Sequence, residues 1–184
     1  MDSQKNIPPL EPPPPMIQED QSMRKIDSRR ESFQAWFSNL NANLEIFDAR
    51  WENLWNDSIN GFNAGNVSIQ TVYHNTQILQ IEMERLKERI ENSKPPKNLS
   101  SSQQKKLKKA LDNFEEMIKL RIEACEDLQY YIENDKLTPS KRDKILDKLY
   151  RSNEFIQQAN ENISDVRIEL GVWKMFELKV LDSF

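Results

Sequence analysis

The residues that could do chemistry are few: one histidine, His74, and one cysteine, Cys125, in a chain of 184 residues. A nucleophile–base pair needs the imidazole within hydrogen-bond reach of the group it activates. Cys125 falls on the apolar seam of its helix, which is the position of a packing residue and not of a reactive thiol. A carboxylate-bridged di-metal bundle needs Glu-x-x-His on two helices. Thr71 stands three positions before His74, and there is no second histidine. A single cysteine also removes a disulfide framework and any cysteine-rich zinc site. The sequence therefore predicts no catalytic residue, no metal and no cofactor.

Carboxylates are plentiful, with Glu115, Glu116, Glu123, Glu126 and Asp127 close together. Acid–base pairs need apolar surroundings to move a pKa, and these five lie off the seam, so a solvated face is expected. Glu82, Glu84, Arg85, Lys87, Glu88, Arg89 and Glu91 read as surface charge pairs along a helix. A stronger signal is the order of the charges. Arg85, Lys87, Arg89, Lys94, Lys97, Lys105, Lys106, Lys108 and Lys109 crowd one stretch against Glu88 and Glu91, and the acidic run follows. The four lysines from Lys105 to Lys109 open a helix, where cations oppose the dipole. Lys94, Lys97, Lys105, Lys106, Lys108 and Lys109 are accordingly the candidate anion-binding residues. The net charge of −4 gives no global attraction to nucleic acid, and no base-reading motif is present.

The elements that position these groups are helices. Phe33, Phe37, Leu40, Leu44, Phe47, Trp51 and Leu54 recur at spacings of four and three, which is one face of a helix. Met23 and Ile26 place its start well before Phe33, and Gly61 to Gly65 end it. Ile69, Val72, Thr76, Leu79, Met83, Leu86 and Ile90 trace a second seam, closed by Pro95-Pro96. Ser100-x-x-Gln103 is a capping box that opens a third, with Leu107, Leu111, Phe114, Ile118, Cys125, Leu128 and Ile132. Arg121 intrudes on that seam, and Ile122 is expected to cover for it. Thr138-Pro139 is an N-cap followed by proline at the first helical position. The fourth seam is Ile145, Leu149, Ser152, Ile156, Ala159, Ile163, Val166, Leu170 and Trp173. Small Ser152 and Ala159 should admit a neighbour such as a tryptophan of the first helix.

The expected fold is all-α: an antiparallel up-down-up-down four-helix bundle over residues 20–171, with helices at about 20–60, 68–93, 102–134 and 139–170 and with the first and last helices long. A three-helix core with a separate first helix is the alternative arrangement. Residues 1–19 form a proline-rich tail expected to be disordered, six of the nine prolines falling between Pro8 and Pro15. Its Pro9 to Pro12 spacing fits a spacer better than a ligand, because the nearest cation is Lys5. Residues 172–184 form an apolar C-terminal extension. No apolar leader and no membrane-spanning run is visible, so a soluble, cytoplasmic chain is expected. Arg29-Arg30-Glu31-Ser32 resembles a kinase site, and Asn56, Asn66, Asn98 and Asn162 each open an Asn-x-Ser triplet. A chain rich in Asn and Ser yields both by chance.

These features imply a non-enzymatic helical interaction or adaptor protein. Its protein partner, or a second copy of itself, would bind where the first and last helices overhang the same pole, with Trp36, Val172, Trp173, Phe176 and Leu178 as anchors. The alternative is docking of the basic pole on an acidic membrane or a nucleic-acid backbone.

Overall fold

The computed structural model describes the backbone of residues 17–172 and the side chains of residues 22–172. Trp173, Phe176 and Leu178, and the proline-rich tail before residue 17, lie outside the described residues. The elements are α1 (Ile17–Trp51), a π-helical turn (Glu52–Asn56), α2 (Asp57–Asn63), α3 (Ile69–Asn92), α4 (Ser101–Glu133) and α5 (Pro139–Glu169). There is no strand among the described residues.

α1, the π turn and α2 are one rod, since Trp51, Asn56 and Asp57 at the junctions all keep helical dihedrals. The described residues thus form four helical rods. Three of the starts follow directly from capping chemistry. Ser68 and Thr138 each accept a backbone N–H three residues on, at 3.1 and 3.4 Å. Ser100 and Gln103 satisfy each other's backbone donors at 3.2 and 3.0 Å. Three ends use left-handed backbone, at Gly65 (φ 76°), Asp135 (φ 51°) and Gly171 (φ 66°).

The seams meet in one core. Phe33, Phe37, Leu40, Leu44, Phe47 and Trp51 from α1 close on Val72 to Ile90, Leu107 to Leu128 and Ile145 to Val166. Each such side chain, taken from water to the core, contributes about 1.5–3 kcal/mol, which is what holds long polar helices together. Two seam readings are corrected. Leu54 is only half-buried, and Trp55 takes its place, stacked on Trp51 with centroids 4.9 Å apart. The cause is the π turn: its wider i→i+5 winding brings the fourth residue back beneath the first. Arg121 is not displaced by Ile122 but is itself buried (1% exposed), while Ile122 is half-buried.

Cross-helix bonds give the neighbours. α1 meets α3 through Arg89 and Asn43 at 2.8 Å and through Trp36 and Ser93 at 3.0 Å. α3 meets α4 where Tyr73 bonds Glu133 and where Gln80 bonds Glu126 and Gln129. α4 meets α5 through Lys106 with Asp165 and Glu169, and through Lys148 with Glu123 and Asp127. α4 and α5 are matched at 33 and 31 residues, so the expectation of a long last helix fails. The end of α5 stops level with the start of α4. Only α1 runs on, and its residues from Ser22 to Ser28 are exposed at every position.

Candidate functional site

The end of the molecule that carries the lysines is tied together by the link between α3 and α4. The Asn98 side-chain amide donates to the Ser28 carbonyl and to the Ser32 hydroxyl at 3.1 and 2.9 Å, and the Asn98 backbone carbonyl accepts from Arg29 Nε at 3.0 Å. The Arg30 guanidinium donates to the Leu170 carbonyl at the end of α5. These contacts bring α1, the link, the start of α4 and the end of α5 to one pole. Ser32, the acceptor of the kinase-like motif, is half-buried in this joint.

The six candidate lysines divide there. Lys106 lies a helical turn into α4 on the side facing α5, at 2.7 Å from Glu169 and 2.9 Å from Asp165. Its bonds to Glu169 and then Asp165 raise its pKa. Lys106 is therefore engaged within the fold. Lys94, Lys97, Lys105, Lys108 and Lys109 are exposed, and none has a carboxylate within ion-pairing distance among the described residues. Lys105, Lys108 and Lys109 follow helical spacing and share one outward face of α4, and Lys94 and Lys97 flank the link beside them. The result is a pole of positive charge that no described carboxylate pairs, with Lys25 exposed on α1 just beyond it.

The expected partner anchors fare differently. Trp36 is half-buried and donates its indole N–H to Ser93, and Val172 is 4% exposed within the core. Val172 is therefore covered, while Trp36 keeps part of its surface exposed. Among the described residues α5 ends at Glu169, where Lys106 and Arg30 hold its end against α4 and α1. What α1 leaves open instead is its own seam: Met23 is 62% and Ile26 44% exposed. Sequence reasoning read these two only as markers of a helix start. Their register, Ile26 seven and Met23 ten residues before Phe33, was the available signal that the seam continues past its neighbours.

The groups considered for catalysis are separated. His74 is exposed on α3, whereas Cys125 is fully buried in α4. Burial pushes the Cys125 thiol well up, against a smaller opposing pull from Arg121. Among the described residues no cluster of His, Cys, Asp and Glu has metal-binding geometry, and no helix is long and apolar enough to cross a membrane.

Two further features went unread. The guanidinium of Arg121 lies 4.4 Å over the Trp51 ring and 5.6 Å from that of Phe47. Its Nε donates to Ser152 at 3.3 Å and Nη2 to Asn153 at 3.2 Å, while Nη1 has no partner. The slot left by Ser152 is thus filled by Arg121, with the tryptophan stacked beyond it. Desolvation lowers the Arg121 pKa to about 10, and the Asp48 charge partly restores it. Asp48 is itself raised, by burial first, with Arg121 opposing. At the other end of the molecule, a groove of about 490 Å³ opens between the π turn, α2, the end of α4 and the start of α5. Trp55, Ile59, Leu128, Ile145 and Tyr150 line it.

No family model, curated protein or solved structure matches the chain.

Proposed function

We propose that the chain is a non-enzymatic docking protein, a four-helix bundle in up-down-up-down order, whose basic pole binds a phosphate-bearing surface. The topology is supported by the sense of the cross-helix bonds. In each neighbouring pair one position rises as its partner falls: Trp36 with Ser93 and Asn43 with Arg89, Tyr73 with Glu133 and Gln80 with Gln129, Lys106 with Asp165 and Asp127 with Lys148. The docking reading is carried by one observation. Among the described residues, five lysines at a single pole have no acidic partner, although Lys106 in their midst has two. Unpaired like charges repel and weaken a folded state, and a polyanion removes that repulsion.

The test is Lys105→Glu with Lys108→Glu and Lys109→Glu in the full chain, titrated with vesicles containing acidic phospholipid and, separately, with single-stranded RNA. All three side chains are exposed, so the helical circular dichroism should stay unchanged. The wild-type chain is expected to bind one of these surfaces and to lose affinity steeply between about 50 and 200 mM salt, as phosphate contacts do. Each lysine near an acidic bilayer contributes about 1 kcal/mol, so the triple reversal should abolish binding. Salt-independent binding, or binding by neither surface, refutes the reading; whichever surface binds identifies the source of the phosphates.

A second reading, in which a protein partner is bound, has its own support in the exposed Met23 and Ile26 on the free start of α1. Ile26→Asp should then remove the partner in a co-purification while the lysine reversals do not.

A further inference from the structure

The start of α1 presents an apolar face that no described helix covers, and the place where the C-terminal chain emerges says what covers it. The seam that buries Phe33 (0% exposed) and Phe37 (5%) continues backward through Ile26 (44%) and Met23 (62%) with the same helical spacing. Exposure begins where α3, the link and α5 stop. Val172, the last described residue, leaves the fold beside that point. Arg30 of α1 donates to the Leu170 carbonyl, and the Gly171 backbone lies so close that a Cβ on it would stand 2.9 Å from Arg30 Nη2. Val172 is itself buried in the core at 4% exposure. The next residues, Trp173, Lys174, Met175, Phe176, Glu177, Leu178, Lys179, Val180 and Leu181, are largely apolar.

We infer that residues 173–184 dock along the start of α1 in the same molecule, setting Trp173 and Phe176 against Ile26 and Met23. The reach is sufficient. Arg30 to Met23 is a rise of about 10 Å along a helix, and the four residues from Trp173 to Phe176, if extended, span about 13 Å. The segment starts in contact with α1 and need cross no other element. It supplies the large apolar side chains that the exposed seam lacks, and the seam supplies cover for a segment too apolar to leave in water. This docking is independent of the lysine surface described above, whose residues take no part in it.

Hydrogen exchange on the full chain tests the inference. The amides from Met23 to Arg29 should exchange slowly in the wild-type protein, at a rate that does not change with protein concentration. In the full chain carrying Trp173→Ser, Phe176→Ser and Leu178→Ser they should exchange at least about tenfold faster, while amides between Leu107 and Leu128 stay protected. Equal rates in the two proteins overturn the inference. So does protection that disappears on dilution, which would make the occupant a second copy. The complementary variant is Ile26→Asp, at an exposed position that leaves the bundle intact. Trypsin should then cut after Lys174 and Lys179 markedly faster than in the wild type; an unchanged rate also overturns it.

Discussion

Arg121 is a cation in the middle of an apolar seam, and the structure allows the consequence of removing it to be worked out. Its side chain is 1% exposed, stacked on Trp51, bonded to Ser152 and Asn153, and left with one unpartnered donor group. The pKa falls from the ordinary 12.5 to about 10, chiefly through desolvation, which sets the charged form at a disadvantage of about 3 kcal/mol relative to water. Against this stand two hydrogen bonds of about 1 kcal/mol each and a desolvated cation–ring contact of about 2 kcal/mol. The favourable and unfavourable parts nearly cancel.

Replacement by methionine keeps the stem and a polarisable contact to Trp51 and removes both the charge and the orphaned donor. Arg121→Met should therefore be neutral to within about 1 kcal/mol, or stabilising, as buried ion-pair replacements often are. Arg121→Ala loses the same charge but vacates the space of six heavy atoms, half of which methionine would fill, and it should be about 3 kcal/mol less stable than the methionine variant. Urea unfolding followed by circular dichroism, with an unchanged slope, measures both. If Arg121→Met falls by more than about 2 kcal/mol, to the level of the alanine variant, the guanidinium is a net source of stability and the desolvation reasoning is wrong.

Three further outcomes follow from the same coordinates. Cys125 is buried and its thiol pushed up, so a thiol reagent at about pH 8 should label it no faster than the protein unfolds; prompt labelling contradicts that placement. Burial would lower the Lys148 pKa, but the bonds from Asp127 and Glu123 more than offset it and leave it raised above 10.5. A raised cation stabilises fully below its unfolded value and loses that contribution as pH rises through the folded one. Unfolding free energy should thus hold to about pH 10 and fall above it, with a shallower fall in Lys148→Met. Gly65→Ala meets open space and bears only the left-handed backbone (φ 76°), about 1 kcal/mol. Gly171→Ala (φ 66°) should lose more by urea unfolding, because it also pushes Arg30 off the Leu170 carbonyl.

What the sequence disclosed was whatever depends on local chemistry. Ser68, Ser100 and Thr138 each place a side-chain acceptor three residues before an orphan backbone donor, so α3, α4 and α5 begin within a residue or so of where the caps put them. The seams of α3 and α4 are equally legible, since α-helical spacing holds along their whole length. α1 was less legible after Trp51 because the π turn changes that spacing without any proline or glycine to announce it; only Trp55, one residue past the expected Leu54, hints at the shift. Arg121 looked like an error in the seam because its type says surface. The aromatic rings that accept its charge come from α1, about 70 positions away in the chain, and spacing within one helix carries no trace of them. The candidate lysines were legible as a cluster, but that Lys106 alone among them is neutralised depends on which side of α4 faces α5.

The charge order along α4 and α5 bears on both the topology and the exposed pole. α4 begins with Lys105, Lys106, Lys108 and Lys109 and turns acidic at Glu115, Glu116, Glu123, Glu126 and Asp127; α5 begins with Lys141, Arg142, Lys144 and Lys148 against Asp143 and Asp147, and ends with Asp165 and Glu169 around Arg167. Laid side by side in the same direction, the two helices would set cations against cations at one end and acids against acids at the other. Laid in opposite directions, Lys106 meets Asp165 and Glu169, and Lys148 meets Glu123 and Asp127, as the bonds have it. Exposed pairs of this kind add little stability, but like charges juxtaposed in the wrong alignment penalise it, and specificity depends on that difference. Pairing of this sort needs only one lysine at the start of α4. Lys105, Lys108 and Lys109 are exposed and make no ion pair to α5 among the described residues, and with Lys94 and Lys97 they leave the pole with like charges that no described carboxylate pairs. That surplus, more than the mere presence of basic residues, is the physical reason to look for an anion there.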